Sequence, residues 1–155
     1  MKIDPDILYA LLERWPVARL ATVAPDGRPH LVPVVFVAEA GVVFSPVDAK
    51  RKSSTRLARL RNVEARGRGS LLIDHYDADW SRLWWVRLDG VARVEQDDAA
   101  LLDRVARRLR AKYPQYRSLE PYAGTPTLLV LRWERVRVWT QSGDTAPILR
   151  AVAPQ

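Results

Sequence analysis

The stretch Arg19-Leu20-Ala21-Thr22-Val23-Ala24-Pro25-Asp26-Gly27-Arg28-Pro29-His30-Leu31-Val32-Pro33-Val34-Val35-Phe36-Val37-Ala38-Glu39-Ala40-Gly41-Val42-Val43-Phe44-Ser45 reads as three strands joined by two tight turns. Arg19 to Val23 alternates apolar and small or polar residues, the pattern of a half-buried strand. Pro25-Asp26-Gly27 is a turn signal: proline presets one dihedral, Asp bonds its own backbone and glycine accepts positive φ. His30 to Ala38 is a second, valine-rich strand, in which Pro33 marks an edge or a bulge. Glu39-Ala40-Gly41 turns the chain into a third strand, Val42 to Ser45. Strands joined this tightly lie antiparallel, so the chain opens with an antiparallel meander.

Upstream, Asp4-Pro5 starts a helix, with an N-cap and then proline at the first helical position. Ile7, Leu8, Leu11 and Leu12 form its apolar face, and Trp15-Pro16 ends it. Downstream, Pro46 to Ser53 is expected to be a loop. Thr55 is placed to cap a short helix carrying Leu57, Leu60 and Val63, which Gly67 and Gly69 end. Ser70 to His75 is a strand, and Leu83 to Glu95 a long one broken at Asp89-Gly90. Asp97 caps an amphipathic helix with Leu101, Leu102, Val105, Ala106 and Leu109 on one face and Arg104, Arg107, Arg108 and Lys112 on the other. Tyr113 to Pro126 is irregular. Thr127 to Thr140 is a last strand, with Leu129, Leu131 and Trp133 sharing a face. The tail from Gly143 is read as loose. The expectation is a mainly β chain with α (α+β): six mostly antiparallel strands, short helices between them, rolled into a small barrel as one domain over residues 1–155.

The composition removes several chemistries. With no cysteine there is no disulfide, thiolate metal site or cysteine nucleophile. His30 and His75 stand at no metal-ligand spacing, and no zinc-protease, serine-elbow or phosphate-loop motif occurs. Each histidine is a candidate acid/base group or a hydrogen-bonded structural residue. Asp74, Asp77 and Asp79 read as caps and turn residues before metal ligands. Met1 to Asp6 holds no apolar run, and no segment approaches the ~20 apolar residues that span a bilayer. A cytoplasmic protein with no membrane partner is expected.

Charge is the most localised feature. From Lys50 to Arg68, nineteen residues hold eight Lys or Arg (Lys50, Arg51, Lys52, Arg56, Arg59, Arg61, Arg66, Arg68) and one acid, Glu64. That surplus equals the whole formal charge of +7; the rest of the chain balances. At its start, Lys50, Arg51 and Lys52 precede Ser53, Ser54 and Thr55, a set suited to a phosphate or carboxylate. A solvated charged helix face is the alternative.

Three of the six tryptophans fall in Trp80 to Trp85. Trp84 and Trp85 are adjacent, so in a strand they face opposite sides. One can fill the core while the other faces a cleft or a second chain. Flat rings suit a planar heterocycle or a dimer interface. Trp139, near the end of the last strand, either packs on a ligand or fills the barrel.

Taken together, Leu20-Ala21-Thr22-Val23, Pro25-Asp26-Gly27-Arg28-Pro29, Lys50-Arg51-Lys52, Arg59-Leu60-Arg61-Asn62, Leu71-Leu72-Ile73-Asp74-His75-Tyr76 and Asp79-Trp80-Ser81-Arg82-Leu83-Trp84-Trp85-Val86-Arg87 resemble the pyridoxamine-phosphate-oxidase-like split β-barrel family, over Trp15 to Ser142. They look most like its actinobacterial branch that is assigned to the deazaflavin coenzyme F-420. The resemblance implies a six-stranded split barrel and a homodimer with two cofactor sites at its interface, each built from both chains. It implies cofactor contacts from Lys50, Arg51, Lys52, Ser53, Ser54, Thr55, Trp85 and Trp139, and no metal. It names no catalytic side chain. This chain has Arg66-Gly67 where flavin-binding relatives carry Asn-Pro, and a helix about one turn longer.

The implied chemistry is hydride transfer with an unsaturated small molecule, which the cofactor supplies and the protein orients. Flavin mononucleotide (FMN) is the alternative cofactor. A nucleic-acid-binding module is the third reading. Lys50 to Arg68 holds no aromatic residue, and single-strand binders pair cations with stacking rings, so nucleic acid is disfavoured.

Overall fold

The computed structural model describes residues 1–47 and 57–153. Lys50, Arg51, Lys52, Ser53, Ser54 and Thr55 lie outside the described residues. Asp4 caps helix α1 (Pro5–Arg14), its carboxylate accepting from the Asp6 amide at 2.8 Å, and Leu8, Leu11 and Leu12 are buried. Strands β1 (Ala18–Val23) and β2 (Pro29–Val34) pair antiparallel across the Pro25-Asp26-Gly27 turn. There Gly27 holds φ +88° and its amide reaches the Ala24 carbonyl at 2.8 Å, so the turn uses the freedom only glycine has.

Seven strands replace the expected six, because the strand read as His30 to Ala38 is two. After β2 the chain leaves the sheet at Val35-Phe36 and re-enters it as β3 (Val37–Glu39). Tyr113 holds the break: its hydroxyl accepts from the Phe36 amide and donates to the Phe36 carbonyl, both at 2.9 Å. Lys112 Nζ donates to that same carbonyl at 3.0 Å and to the Leu12 carbonyl at 2.7 Å. Phe36 thus spends its backbone groups on side chains and none on a neighbouring strand.

Strand β4 (Val42–Pro46) follows, then helix α2 (Ala58–Arg66), β5 (Arg68–His75), β6 (Trp84–Glu95), helix α3 (Ala99–Lys112), β7 (Leu128–Thr140) and helix α4 (Ala146–Val152). The sheet order is β2-β1-β5-β6-β7-β4-β3, and the pairings are antiparallel. β2 and β3 are therefore its two opposite edges, yet only Val35 and Phe36 separate them in the chain. Three Cα steps span at most ~11 Å. The sheet must curl until its edges nearly meet, a rolled sheet left open along that seam and not a closed six-stranded barrel.

Other boundaries shift for local reasons. The helix expected from Thr55 begins at Ala58, with Leu57 in the cap position and no side-chain cap. Asp98, not Asp97, caps α3, accepting from the Leu101 amide at 3.0 Å. The break expected at Asp89-Gly90 is a bulge within a continuous β6, in which Glu134 of β7 is the extra residue. A Cβ on Gly90 would lie 2.0 Å from the Arg132 carbonyl oxygen, so only glycine admits so close an approach. The tail read as loose forms α4, whose Ile148 is fully buried against the main core.

Two apolar clusters result. The larger fills the curl between α1, α2 and the inner sheet face, with Leu20, Phe36, Leu71, Ile73, Trp84, Val86 and Leu88 at its centre. The smaller lies under α3, where all five predicted face residues are buried, Val105 and Leu109 completely. Because α3 covers one side of β7 and the curl the other, Leu128 and Val130 are buried as well as Leu129 and Leu131. The alternation expected there gives way to a strand apolar on both faces.

Candidate functional site

The sheet of β2, β1, β5, β6 and β7 turns one face into the core and leaves the other uncovered. Alternation decides which residue goes where. Ala18, Leu20, Leu71, Ile73, Trp84, Val86, Leu88 and Val138 point inward. Their neighbours Arg19, Ala21, Leu72, Asp74, Trp85, Arg87, Asp89, Arg137 and Trp139 stand on the outer face. This face mixes exposed apolar groups, Leu31 (65% exposed), Val23 (44%) and Trp139 (40%), with a line of arginines.

Trp85 and Trp139 meet here. The β6/β7 register places them directly opposite each other, the closest cross-strand relationship a sheet offers. The Arg87 guanidinium carbon sits 6.0 Å from the Trp85 ring centre, a cation over an aromatic face. Trp84, one residue earlier, is 1% exposed in the core. The two tryptophans expected to serve a ligand are thus brought together, on the uncovered side.

At the bulge the same face sinks into a hollow of about 520 Å³, walled by Ala21, Ser70, Asp89, Arg68, Glu134 and Arg135. The Ser70 hydroxyl donates to Asp89 at 2.6 Å, and Arg87 Nε lies 3.0 Å from the same carboxylate. Burial pushes the Asp89 carboxyl up, but those bonds and the charges of Arg87 and Arg135 outweigh it. The group lies below the usual carboxylate range and stays ionised. Arg19 pairs with Asp74 farther along. Sequence reading passed over Ser70, Asp89 and Arg135. Their signal was strand parity: each is offset by one from a core residue.

The basic segment is described only at its helical end. Asn62 is buried and donates to the Thr22 hydroxyl at 3.0 Å, fixing α2 on β1. Arg66 donates to the Pro25 carbonyl at 2.6 Å, and Arg68 pairs with Glu134 at 2.5 Å. These two arginines are tied to the scaffold. On the β4 side, Ser45 is 3% exposed and its hydroxyl has no protein partner among the described residues.

The remaining candidates have structural posts. Asp77 accepts from the Asp79 amide at 2.9 Å and lies 3.3 Å from Arg82 and 3.5 Å from His75 Nε2. Asp79 caps the single turn Trp80–Arg82, accepting from the Ser81 amide at 3.0 Å. No group of three or more His, Asp or Glu able to hold a metal occurs among the described residues. His75 stacks on Trp84, and His30 stands on β2. No described helix is long and apolar enough to cross a membrane.

Known proteins supply the frame for this face. No curated protein sequence matches the chain. Among solved structures, a conserved hypothetical protein from Mycobacterium tuberculosis is similar at 21% identity, covering 90% of this chain and 86% of that one, with TM-score 0.68. A FAD-binding protein from Mesorhizobium loti is similar at 17% identity over 88% and 94%, with TM-score 0.64. The heme storage protein HutZ from Vibrio cholerae is similar at 19% identity over 90% and 95%, with TM-score 0.63. At such identities the likeness shows a shared fold. The sequence profile described as pyridoxamine 5'-phosphate oxidase matches residues 5–140, from the first helix to the last residue of β7, and the chain belongs to that family.

Proposed function

We propose that this chain is an oxidoreductase that binds the deazaflavin coenzyme F-420 and uses it to move a hydride to or from an unsaturated small molecule. The observation that carries the reading is the charge distribution. In a chain of this flavin-associated family, a surplus equal to the whole +7 is carried by Lys50 to Arg68, which runs from shortly after β4 to the first residue of β5. One flavin phosphate needs less. A coenzyme with a phosphate diester and a tail of carboxylates uses such a surplus.

Lys50, Arg51 and Lys52, with Ser53, Ser54 and Thr55, would hold the anionic part. Trp85 and Trp139 would carry the ring, with Arg87 beside it. When bound, the deazaflavin supplies two-electron hydride chemistry; the carbon at its central ring position disfavours one-electron and dioxygen reactions. The chain's residues bind and orient the ring and shield it from water. The outer face offers arginines and aromatics for that task and needs no catalytic triad.

A second copy fits the same reading. Pro46, where β4 ends, pairs with Leu128, whereas Trp139 lies eleven residues farther along β7, roughly 36 Å of strand. The end of β4, after which the basic segment begins, and the tryptophan pair therefore lie toward opposite ends of β7. A homodimer packed through the outer face, one chain giving the loop and the other the rings, would unite them. FMN in the same site is the second reading, favoured by the similarity to a FAD-binding protein.

The test is turnover. Protein and reduced coenzyme are mixed with α,β-unsaturated carbonyl compounds, and coenzyme oxidation is followed by absorbance. Substrate-dependent oxidation above the protein-free rate supports the proposal. No oxidation by any such compound, with FMN bound more tightly, moves the protein to the second reading.

A further inference from the structure

We propose a second ligand site, distinct from the outer face: the cavity between α1, α4 and the start of β6 takes a small flat organic anion, a carboxylate on an aromatic ring. The cavity is about 600 Å³, ample for a one- or two-ring compound. Three arginines line it, Arg14 from the end of α1, Arg82 from the turn before β6 and Arg150 from α4. Among the described residues no carboxylate lines it. Its aromatic wall is Trp15, His75 and Trp84. Trp15 meets Trp84 edge-on at 4.8 Å between ring centres, and His75 stacks on Trp84 at 6.1 Å.

Three guanidiniums around one hollow repel each other unless an anion joins them. Their commitments are slight. Arg14 donates to the Ala153 carbonyl at 2.6 Å, and Arg82 leans on Asp77 at 3.3 Å. Arg150 makes no hydrogen bond or close ion pair among the described residues, and its charge acts at longer range on Asp144. Each planar fork keeps N–H groups for a carboxylate, which matches guanidinium geometry better than a spherical anion does. The wall supplies the matching half, aromatic surface against which a ring packs edge to face. Trp84 adds an independent sign: the residue is 1% exposed, yet its Nε1–H finds no acceptor among the described residues. A buried donor without a partner is costly, and here it belongs to a residue of the cavity wall.

The cavity cannot be the outer-face site seen from another side. Trp84 lines it, and Trp85 points through the sheet to the other face. A ligand here cannot touch a ring held by Trp85 and Trp139, so it acts as an effector or a structural ligand and not as the molecule reduced.

The experiment is calorimetry on the full chain without coenzyme, using benzoate, benzamide and inorganic phosphate. Benzoate is expected to bind saturably, about tenfold or more tighter than either of the others. Arg150→Gln, a change on an exposed helix position, should weaken benzoate about tenfold, and Arg82→Gln likewise, with thermal stability kept. Four results overturn the site: no saturable benzoate binding, equal affinity for benzamide, unchanged affinity in both arginine variants, or displacement of benzoate by the deazaflavin coenzyme. The first three do not involve the coenzyme, so this proposal and the cofactor assignment fail separately.

Discussion

Trp85 faces Trp139 directly across β6 and β7, while Trp84, its neighbour in sequence, is buried in the core against Trp15 and His75. One step along a strand thus separates a scaffold residue from a surface one. The two should respond oppositely to truncation. Trp84→Ala removes a fully buried ring and should cost ~3–5 kcal/mol of stability. Trp85→Ala should cost about 1 kcal/mol or less. Chemical denaturation of both variants checks this; equal losses would mean that Trp85 is also core.

In ligand binding the order reverses. Trp85→Ala and Trp139→Ala should each weaken coenzyme binding by about 1 kcal/mol, roughly fivefold, through lost ring contact. Fluorescence titration reads the change. Unaltered affinity in both variants would remove the tryptophan pair from the site.

If each site takes its loop from one chain and its rings from the other, mixed dimers report it. A Lys50→Ala/Lys52→Ala chain and a Trp139→Ala chain should each bind coenzyme poorly alone. Their mixed dimer should regain one good site of the two. No recovery on mixing would place loop and tryptophans of the same chain in one site. A monomer by light scattering at micromolar concentration would remove the dimer itself, whereas a dimer that persists in Leu31→Glu, which places a charge at the most exposed apolar position of the outer face, would move the interface elsewhere.

Tyr113→Phe removes the hydroxyl that serves both backbone groups of Phe36. Lys112 still donates to the carbonyl, so the Phe36 amide is the group left bare. The cost should be ~1–3 kcal/mol, the range for an unsatisfied buried donor. A loss under ~0.5 kcal/mol would mean that the seam holds without it.

Acid stability should depend on Glu95. Its carboxylate is paired with Arg93 and accepts from the Asp97 amide at 3.0 Å and the Asp98 amide at 3.2 Å, which lowers its pKa from 4.5 to about 2. A carboxylate depressed in the folded state stabilises fully above its unfolded pKa, and that stability is lost as pH falls from about 4.5 toward 2. Glu95→Gln should therefore be less stable than the parent at pH 6, with the gap closing by pH 2–3. A constant gap across that range would contradict the assignment.

Local signals in the sequence reached different depths. The α3 face was legible residue by residue, because five apolar side chains at helical spacing leave one solution. The Pro25-Asp26-Gly27 turn was legible for the same reason: glycine at positive φ is a local requirement. The break at Val35-Phe36 was not, since its cause, the hydroxyl of Tyr113, is 77 residues away. α4 escaped notice because seven residues give too short a period, and its hold is one buried isoleucine against the core. Of the site, adjacency told that Trp84 and Trp85 must diverge, but register alone put Trp85 opposite Trp139. Arg66 and Arg68 counted toward the basic patch, and only the fold shows them spent on Pro25 and Glu134.

The most direct test of the cofactor assignment is a fluorescence titration of the purified protein with the deazaflavin coenzyme and, separately, with FMN, at low and moderate salt. The account predicts micromolar or tighter binding of the deazaflavin, preferred over FMN and weakened by salt as expected for charge-driven contacts. Preference for FMN, or binding of neither, would contradict it.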